Sequence, residues 1–365
     1  MRISFQREDF LKPLNYVAGV AERRQTLPIL SYILLRHKEN KTVITGTDLE
    51  IEVSTYASGT ADAEANVTLP ARKLLEICRA LPEGSQMEII HEGERATVKA
   101  GRSRFSLITM PVSDFPIMQS PLWEKSLTLK QGEFRALLEK TQFCMAQQDV
   151  RYYLNGALLE ISNGKLRIVA TDGHRMAVGE LACSGADGEK QVIIPRKAVH
   201  EITRLLNQTD DELTLRVGQN HIGIQTSEVA FTSKLIDGRY PDYHKVIPAG
   251  QSIKMRLNAA DFHKALTRVA ILSSDKHRGV RLNADKIVRI TAHNPEQEEA
   301  QEEIAVLEYT GQEVEIGFNV GYLIDAMSSL GATEVLLTLN DPSSSCAIRP
   351  VGQDYPLYVI MPMRL

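Results

Sequence analysis

The 365-residue chain (40.7 kDa) is longer than one ordinary domain and fits two or three. Its composition, 43% hydrophobic and 24% charged, suits a core-forming chain; no apolar run approaches the ~18 residues that span a bilayer, and MRISFQREDF holds no apolar signal core. The formal net charge of −4 argues, taken alone, against a surface coated in basic charge for nucleic acid.

Residues 8–17 (EDFLKPLNYV) read as a helix whose opening acids suit the positive end of the helix dipole. Pro13 weakens that reading, because proline removes an intrahelical donor. The β runs ILSYILL (29–35) and VITGTDLEIEV (43–53) follow, then LPARKLLEICRAL (69–81), an amphipathic helix with Pro70 near its first turn. In GERATVKAGRSR (93–104), Arg95 and Lys99 share strand parity, as do Arg102 and Arg104. QSPLWEKSLT (119–128) reads as a connector. The sequence then predicts a helix over 133–143, β runs LNGALLEI (154–161) and RIVATDGHRMAV (167–178), and a helix IPRKAVHEITRLL (194–206). A second connector, VIPAGQSI (246–253), leads to a helix over 261–272, β runs GVRLN (279–283) and VRITAHNPEQEE (288–299), and a helix FNVGYLIDAMSSL (318–330). Tyr358, Val359 and Ile360 close the chain as a strand equivalent to FSLIT and FTSKLI.

These elements repeat at a period near 124. Pro70, Glu76, Ile77, Arg79 and Leu81 match Pro195, Glu201, Ile202, Arg204 and Leu206, and Thr47-Asp48 matches Thr171-Asp172. The expected architecture is α+β: three similar domains (1–122, 123–250 and 251–365), each with two helices packed on antiparallel sheets. The first two domains balance their charges; the last carries 11 basic and 15 acidic residues and holds the whole excess. Between Arg289 and Arg349 there is no cation, whereas Glu296, Glu298, Glu299, Glu302 and Glu303 cluster. A basic cluster within the neutral first third (Arg72, Lys73, Arg79, Arg95, Lys99, Arg102 and Arg104) and an acidic last third suit a head-to-tail contact between copies, which closes a ring or grows a filament.

Four cysteines without a Cys-x-x-Cys pair indicate neither a zinc site nor a disulfide framework, and a reducing cytoplasm is expected. No phosphate-binding loop, dinucleotide fingerprint or nucleophile elbow is present, so neither cofactor nor metal is expected. The residues point to a binding or structural protein, not an enzyme. The rival is a hydrolase or nucleotidyl-processing enzyme using ATDGHR, with Asp172 and His174 as acid and base.

The series TLPILSYILL (26–35), GTDLEIEV (46–53), LPARKLLEICRALPEG (69–84), QDVRYYLNG (148–156), ATDGHRMAV (170–178), FTSKLIDGRYPDY (231–243), IGFNVGYL (316–323) and YVIMPMRL (358–365) resembles the bacterial sliding clamps, the beta subunits of DNA polymerase III. The resemblance covers essentially the whole length. It implies the clamp fold and a head-to-tail homodimeric ring that encircles duplex DNA without reading its sequence. Such a ring is loaded by an ATP-dependent clamp loader and tethers the polymerase catalytic subunit and repair polymerases through short linear peptides.

By that resemblance Arg24, Arg72, Gln148, Tyr152 and Tyr153 contact DNA. Lys73, Arg196 and Lys197, and further Arg79, Arg204, Lys264 and Arg268, are cations on the helices that would face phosphates, where affinity is sequence-independent. The third copy's helix 318–330 has no cation. The peptide cleft is expected from Leu154, Thr171, Gly173, His174, Arg175, Met176, Pro241, Lys245, Val246 and Ser345 with the tail Val359, Ile360, Met361, Pro362, Met363, Arg364 and Leu365. Met176 stands where the family pattern expects leucine, a swap of similar volume, and Lys245 where it expects arginine, which loses the planar fork. The interface is expected from Phe105, Leu107, Ile271 and Leu272 as an apolar seam, rimmed by Arg95, Arg102 and Arg104 facing Glu298, Glu299, Glu302 and Glu303.

Overall fold

The structure, a computed structural model, describes residues 1–21, 27–39, 41–119, 121–183, 188–250, 252–274 and 276–364. The first third holds β1 (Arg2–Gln6), α1 (Arg7–Ala18), β2 (Tyr32–Lys38), β3 (Lys41–Thr47), β4 (Ile51–Ala57), β5 (Gly59–Ala61), β6 (Ala65–Pro70), α2 (Ala71–Ala80), β7 (Gln86–Glu92), β8 (Arg95–Ala100) and β9 (Ser103–Ile108). The middle third holds β10 (Trp123–Lys130), α3 (Gln131–Glu139), β11 (Gly156–Ser162), β12 (Lys165–Thr171), β13 (Arg175–Ala182), β14 (Lys190–Pro195), α4 (Arg196–Leu205), β15 (Glu212–Gly218), β16 (His221–Gln225) and β17 (Val229–Lys234). The last third holds β18 (Ile253–Asn258), α5 (Ala259–Val269), β19 (Gly279–Ala284), β20 (Ile287–His293), β21 (Glu299–Ala305), β22 (Glu308–Thr310), β23 (Val314–Asn319), α6 (Val320–Leu330), β24 (Glu334–Leu339), β25 (Cys346–Pro350) and β26 (Leu357–Ile360). Two α-helices per third and antiparallel ladders agree with the α+β expectation. No helix among the described residues is long and apolar enough to cross a membrane.

Contacts divide the chain into two compact units, residues 1–132 with 200–235, and residues 133–199 with 236–365. The first unit contains a five-stranded sheet, β5-β1-β7-β8-β9, and an eight-stranded sheet, β10-β15-β16-β17-β4-β3-β2-β6. The second contains a nine-stranded sheet, β14-β11-β12-β13-β26-β25-β24-β18-β22, and a four-stranded sheet, β21-β20-β19-β23. The middle third thus lends β10 and β15–β17 to one unit and β11–β14 to the other. Strand edges seek partners wherever N–H and C=O groups stand unpaired. Two joints between sequence thirds satisfy this: β17 pairs β4 with Phe231 opposite Val53, and β26 pairs β13 with Tyr358 opposite Ala177.

In the first unit α1 packs against α2 and the β3–β4 face, burying Phe10, Leu14 and Val17. The helix continues through Pro13, itself buried, so the loss of one donor is outweighed by burial along this stripe. The last carbonyls of α1 have no intrahelical donor. Arg204 supplies two, its Nη1 donating to Asn15 O (3.1 Å) and its Nη2 to Tyr16 O (2.7 Å). In the second unit α5 packs on α6 and β21, and Asn319 caps α6 by accepting from the Gly321 and Tyr322 amides.

Several boundaries differ from the sequence expectation. Residues 28–31 form a 3-10 turn before β2, because Pro28 disfavours a ladder donor there. Residues 123–128 are not connector but the start of β10, paired along β15, so that connector is shorter. The helix expected over 133–143 ends at Glu139, with a separate 3-10 turn over Gln142–Cys144. Pro70 and Pro195 end strands, and α2 and α4 begin after them.

Candidate functional site

The hairpin between β12 and β13 turns on Asp172 and Gly173. Asp172 Oδ1 accepts the amides of His174 (2.9 Å) and Arg175 (3.0 Å), a local turn that aspartate favours. Gly173 has φ +90°, a backbone conformation that favours glycine, and a Cβ there would lie 2.8 Å from the Arg151 guanidinium and push it aside. Thr171 locks the turn by donating Oγ1 to Arg175 O (2.7 Å) and presenting its amide to the Tyr240 hydroxyl (3.1 Å).

Beside this turn lies a cavity of about 210 Å³. Leu154, Met176, Pro241, Val246, Val359 and Met361 give it apolar walls; Thr171, Gly173 and Arg175 add polar edges. These residues come from five separate stretches of chain. Beneath it Met176, Val178, Ile193, Tyr240, Tyr243 and Leu357 form a buried cluster, so the walls rest on a packed floor. An apolar concavity with few polar groups suits anchors of a short peptide.

Arg175 holds the site from below. Its Nε donates to Asp172 Oδ2 (3.1 Å), its Nη1 to Asp325 Oδ2 (2.5 Å) and its Nη2 to Phe143 O (2.9 Å). The guanidinium also lies 5.3 Å from the Phe143 ring centre and 4.6 Å from that of Tyr322. The pairing of Asp172 also disposes of the acid–base rival. Both its oxygens are committed to backbone amides and Arg175, and the amide of His174, not its imidazole, meets them.

The remaining expected cleft residues fall into distinct places. Ser345 donates to Val246 O (3.0 Å), holding the turn that carries Val246. His174 is exposed, and its carbonyl accepts the Met361 amide (2.9 Å). Lys245 points out beside Asp242 (3.3 Å). Ile360 is buried within β26, and Pro362 is half-buried. Met363 and Arg364 line a neighbouring cavity. Leu365 lies outside the described residues.

Arg151, Asp242 and Tyr243 also border the cleft, and so does Tyr153, which the resemblance placed on DNA. Arg151 was legible only as part of QDVRYYLNG. It pairs with Asp149 through Nε (3.0 Å) and Nη2 (2.9 Å) and reaches Asp172 O (3.1 Å). That hydrogen-bonded guanidinium holds the Asp149 carboxyl down at about 2.

Of the expected DNA contacts, Arg24 lies outside the described residues. Arg72, Lys73, Lys197 and Lys264 are exposed on their helices. Tyr152 is 58% exposed and meets Tyr153 edge-on at 5.8 Å; Gln148 adopts φ +56° in the preceding loop. Arg196 instead donates to Met145 O (2.7 Å). Arg79 donates to Asn15 Oδ1 (2.7 Å), Arg204 serves α1, and Arg268 grips Glu302 with two bonds.

Of the expected interface residues, Phe105 and Leu107 lie on β9, the edge of the five-stranded sheet, while Glu299, Glu302 and Glu303 lie on β21, the edge of the four-stranded sheet. Ile271 is 76% exposed, Leu272 is half-buried and Leu107 is buried. Arg102 and Arg104 are exposed, and Arg95 donates to Ser106 Oγ (3.3 Å). Strand parity separates the acids: Glu299 and Glu303 share one face, while Glu302 shares the other with the buried Ile304, where the Arg268 hydrogen bonds lower its carboxyl pKa. Glu298 sits in the preceding turn, bonded to Asn294.

Comparison with known proteins covers the chain end to end. Sequence models of the DNA polymerase III beta subunit match over residues 1–119 (N-terminal domain), 128–242 (central domain) and 244–364 (C-terminal domain). The beta sliding clamps of Pseudomonas aeruginosa and Escherichia coli K12 are 46% and 45% identical to it, each aligned over 100% of both chains. A crystal structure of the P. aeruginosa clamp bound to griselimycin superposes with a TM-score of 0.97 at 46% identity, covering 100% of both chains.

Proposed function

The chain belongs to the DNA polymerase III beta subunit family, and from that premise we propose that two copies close head to tail into a ring around duplex DNA. It is a sliding clamp, a non-catalytic processivity factor of replication. In the bacterial cytoplasm the ring would be loaded by an ATP-dependent clamp loader. The cleft of Leu154, Met176, Val246, Val359 and Met361 would receive short peptides of the loader, the polymerase catalytic subunit and repair polymerases. Arg24, Arg72, Lys73, Arg196, Lys197, Gln148, Tyr152 and Tyr153 would supply weak, sequence-independent DNA contacts. A closed ring retains DNA topologically, so such contacts suffice and sliding stays possible.

One observation carries the dimer. The internal repeat makes β9, β17 and β26 equivalent strands, and β4, β13 and β21 likewise. Within one chain β17 pairs β4 and β26 pairs β13, in the same register: an aromatic residue opposes a small or β-branched one, Phe231 with Val53 and Tyr358 with Ala177. Phe105 and Ala300 hold the corresponding positions on β9 and β21, whose edges have no such pairing among the described residues. Applying the register between copies opposes Phe105 to Ala300. It also sets Arg104 opposite Gln301, with Glu299 and Glu303 on the diagonals, so the rim charges complement.

Sizing should give twice 40.7 kDa, and the loaded protein should stay on circular DNA and leave once the circle is cut. Equal loss from circular and linear DNA would sink the ring.

A further inference from the structure

Beside the cleft lies a second cavity of about 410 Å³, larger than the first. Its walls are the outward face of β19 and β20, the loop at Ser274 and His277, and the tail residues Met363 and Arg364. Arg281, His277, His293 and Arg364 line it, and among the described residues no acidic side chain does; Asp275, between Ser274 and His277, lies outside the described residues. Two acids stand at its margin: Glu315 pairs with Arg281 (3.1 Å), and Glu299 lies 3.9 Å from His293 Nε2. Arg364 has no acidic partner among the described residues.

The tail joins the two cavities. It runs extended, pinned by the Met361 amide to His174 O (2.9 Å) and by the Met363 amide to Gly317 O (2.9 Å). Side chains two apart on an extended chain leave on the same side, about 7 Å apart. Met361 lines the apolar cleft and Met363 the cationic cavity. A bound peptide therefore needs only about two or three further extended residues to pass from one cavity into the other.

We propose that this cavity is an acidic-residue subsite of the peptide cleft: a peptide anchored among Leu154, Met176 and Val359 continues along the tail and places one or two carboxylates against Arg281, His277 and Arg364. The proposal rests on the cleft being a peptide site. The carboxylate displaces Glu315 from Arg281, so the gain is modest and screened by salt. It ranks partner peptides by their flanking charge rather than by their anchors.

The test uses fluorescence anisotropy on the full chain with three kinds of peptide: a short one bearing the apolar anchors alone, and that peptide extended by three residues at either end, carrying two glutamates or only serines. At low salt one glutamate extension should bind about fivefold tighter than its serine counterpart, and the gain should vanish in the double variant His277→Gln, Arg281→Gln. That variant should bind the unextended peptide as the parent does. If neither extension outperforms serine, or the gain survives the double variant, the subsite is wrong while the cleft stands. If the unextended peptide fails to bind the parent chain, the cleft reading itself falls, and the subsite with it. If the double variant loses retention on circular DNA and its peptide preference is unchanged, the cations serve phosphate and the proposal is overturned.

Discussion

Replacing Ile271 by alanine isolates the proposed seam between copies. Leu107 would be a poor choice: it is already buried within its own chain, so truncation would cost folding stability as well as association. Ile271 is 76% exposed, so it contributes little to its own fold. Burying an isoleucine completely stabilises by about 1.5–3 kcal/mol. With a quarter of its surface already covered, a partner can add about 1–2 kcal/mol per interface. A closed dimer contains the interface twice, so the variant should lose about 2–4 kcal/mol, raising the dimer Kd about 30-fold to 700-fold. Sedimentation velocity over a dilution series measures this, and thermal unfolding of the monomer serves as the control. A Kd within about threefold of the parent's, with an unchanged melting temperature, would refute the placement of Ile271 in the seam.

Arg175→Ala should be strongly damaging, because the side chain is only 14% exposed; it strands Asp172 and the Phe143 carbonyl, a loss of about 3 kcal/mol in urea unfolding, and weakens peptide binding as the 172–174 turn loosens. The Asp149 carboxyl should titrate near 2 by carbon NMR, and Arg151→Ala should return it toward its ordinary 3.8. Because its folded value is depressed, its contribution is present above about pH 4 and fades as the pH falls toward 2; a midpoint near 4 in the parent would contradict the Arg151 pairing. All four cysteines are buried, and burial pushes the Cys78 and Cys346 thiols up to about 12. At pH 8 a thiol reagent should therefore label none in the native protein and four in urea; rapid native labelling of any one would show that its site opens.

The covalent series of elements was legible in the sequence because its signals are local. Amphipathic spacing placed two helices per third, and the match of Thr47-Asp48 to Thr171-Asp172 marked the equivalent turns. The excess acid in the last third, which made −4 a poor guide to partners, was a matter of counting. Tertiary structure decided what depends on distant partners. Arg79 and Arg204 hold equivalent places on repeated helices, yet one donates to the Asn15 side chain and the other closes the end of α1 across 188 positions. Likewise Glu299 and Glu302 look interchangeable in a run of acids, and only strand parity and Arg268 part them. The cleft draws on segments near 154, 175, 241, 246 and 360, and no window of sequence contains them together. Which strand edge meets which is set by geometry at the ends of whole sheets: β4 takes β17 and β13 takes β26, each from a different third, while β9 and β21 stay at sheet edges among the described residues. An unpaired edge is a property of the finished sheet, because hydrogen-bonding groups left over after folding are counted only once every other strand has its neighbour.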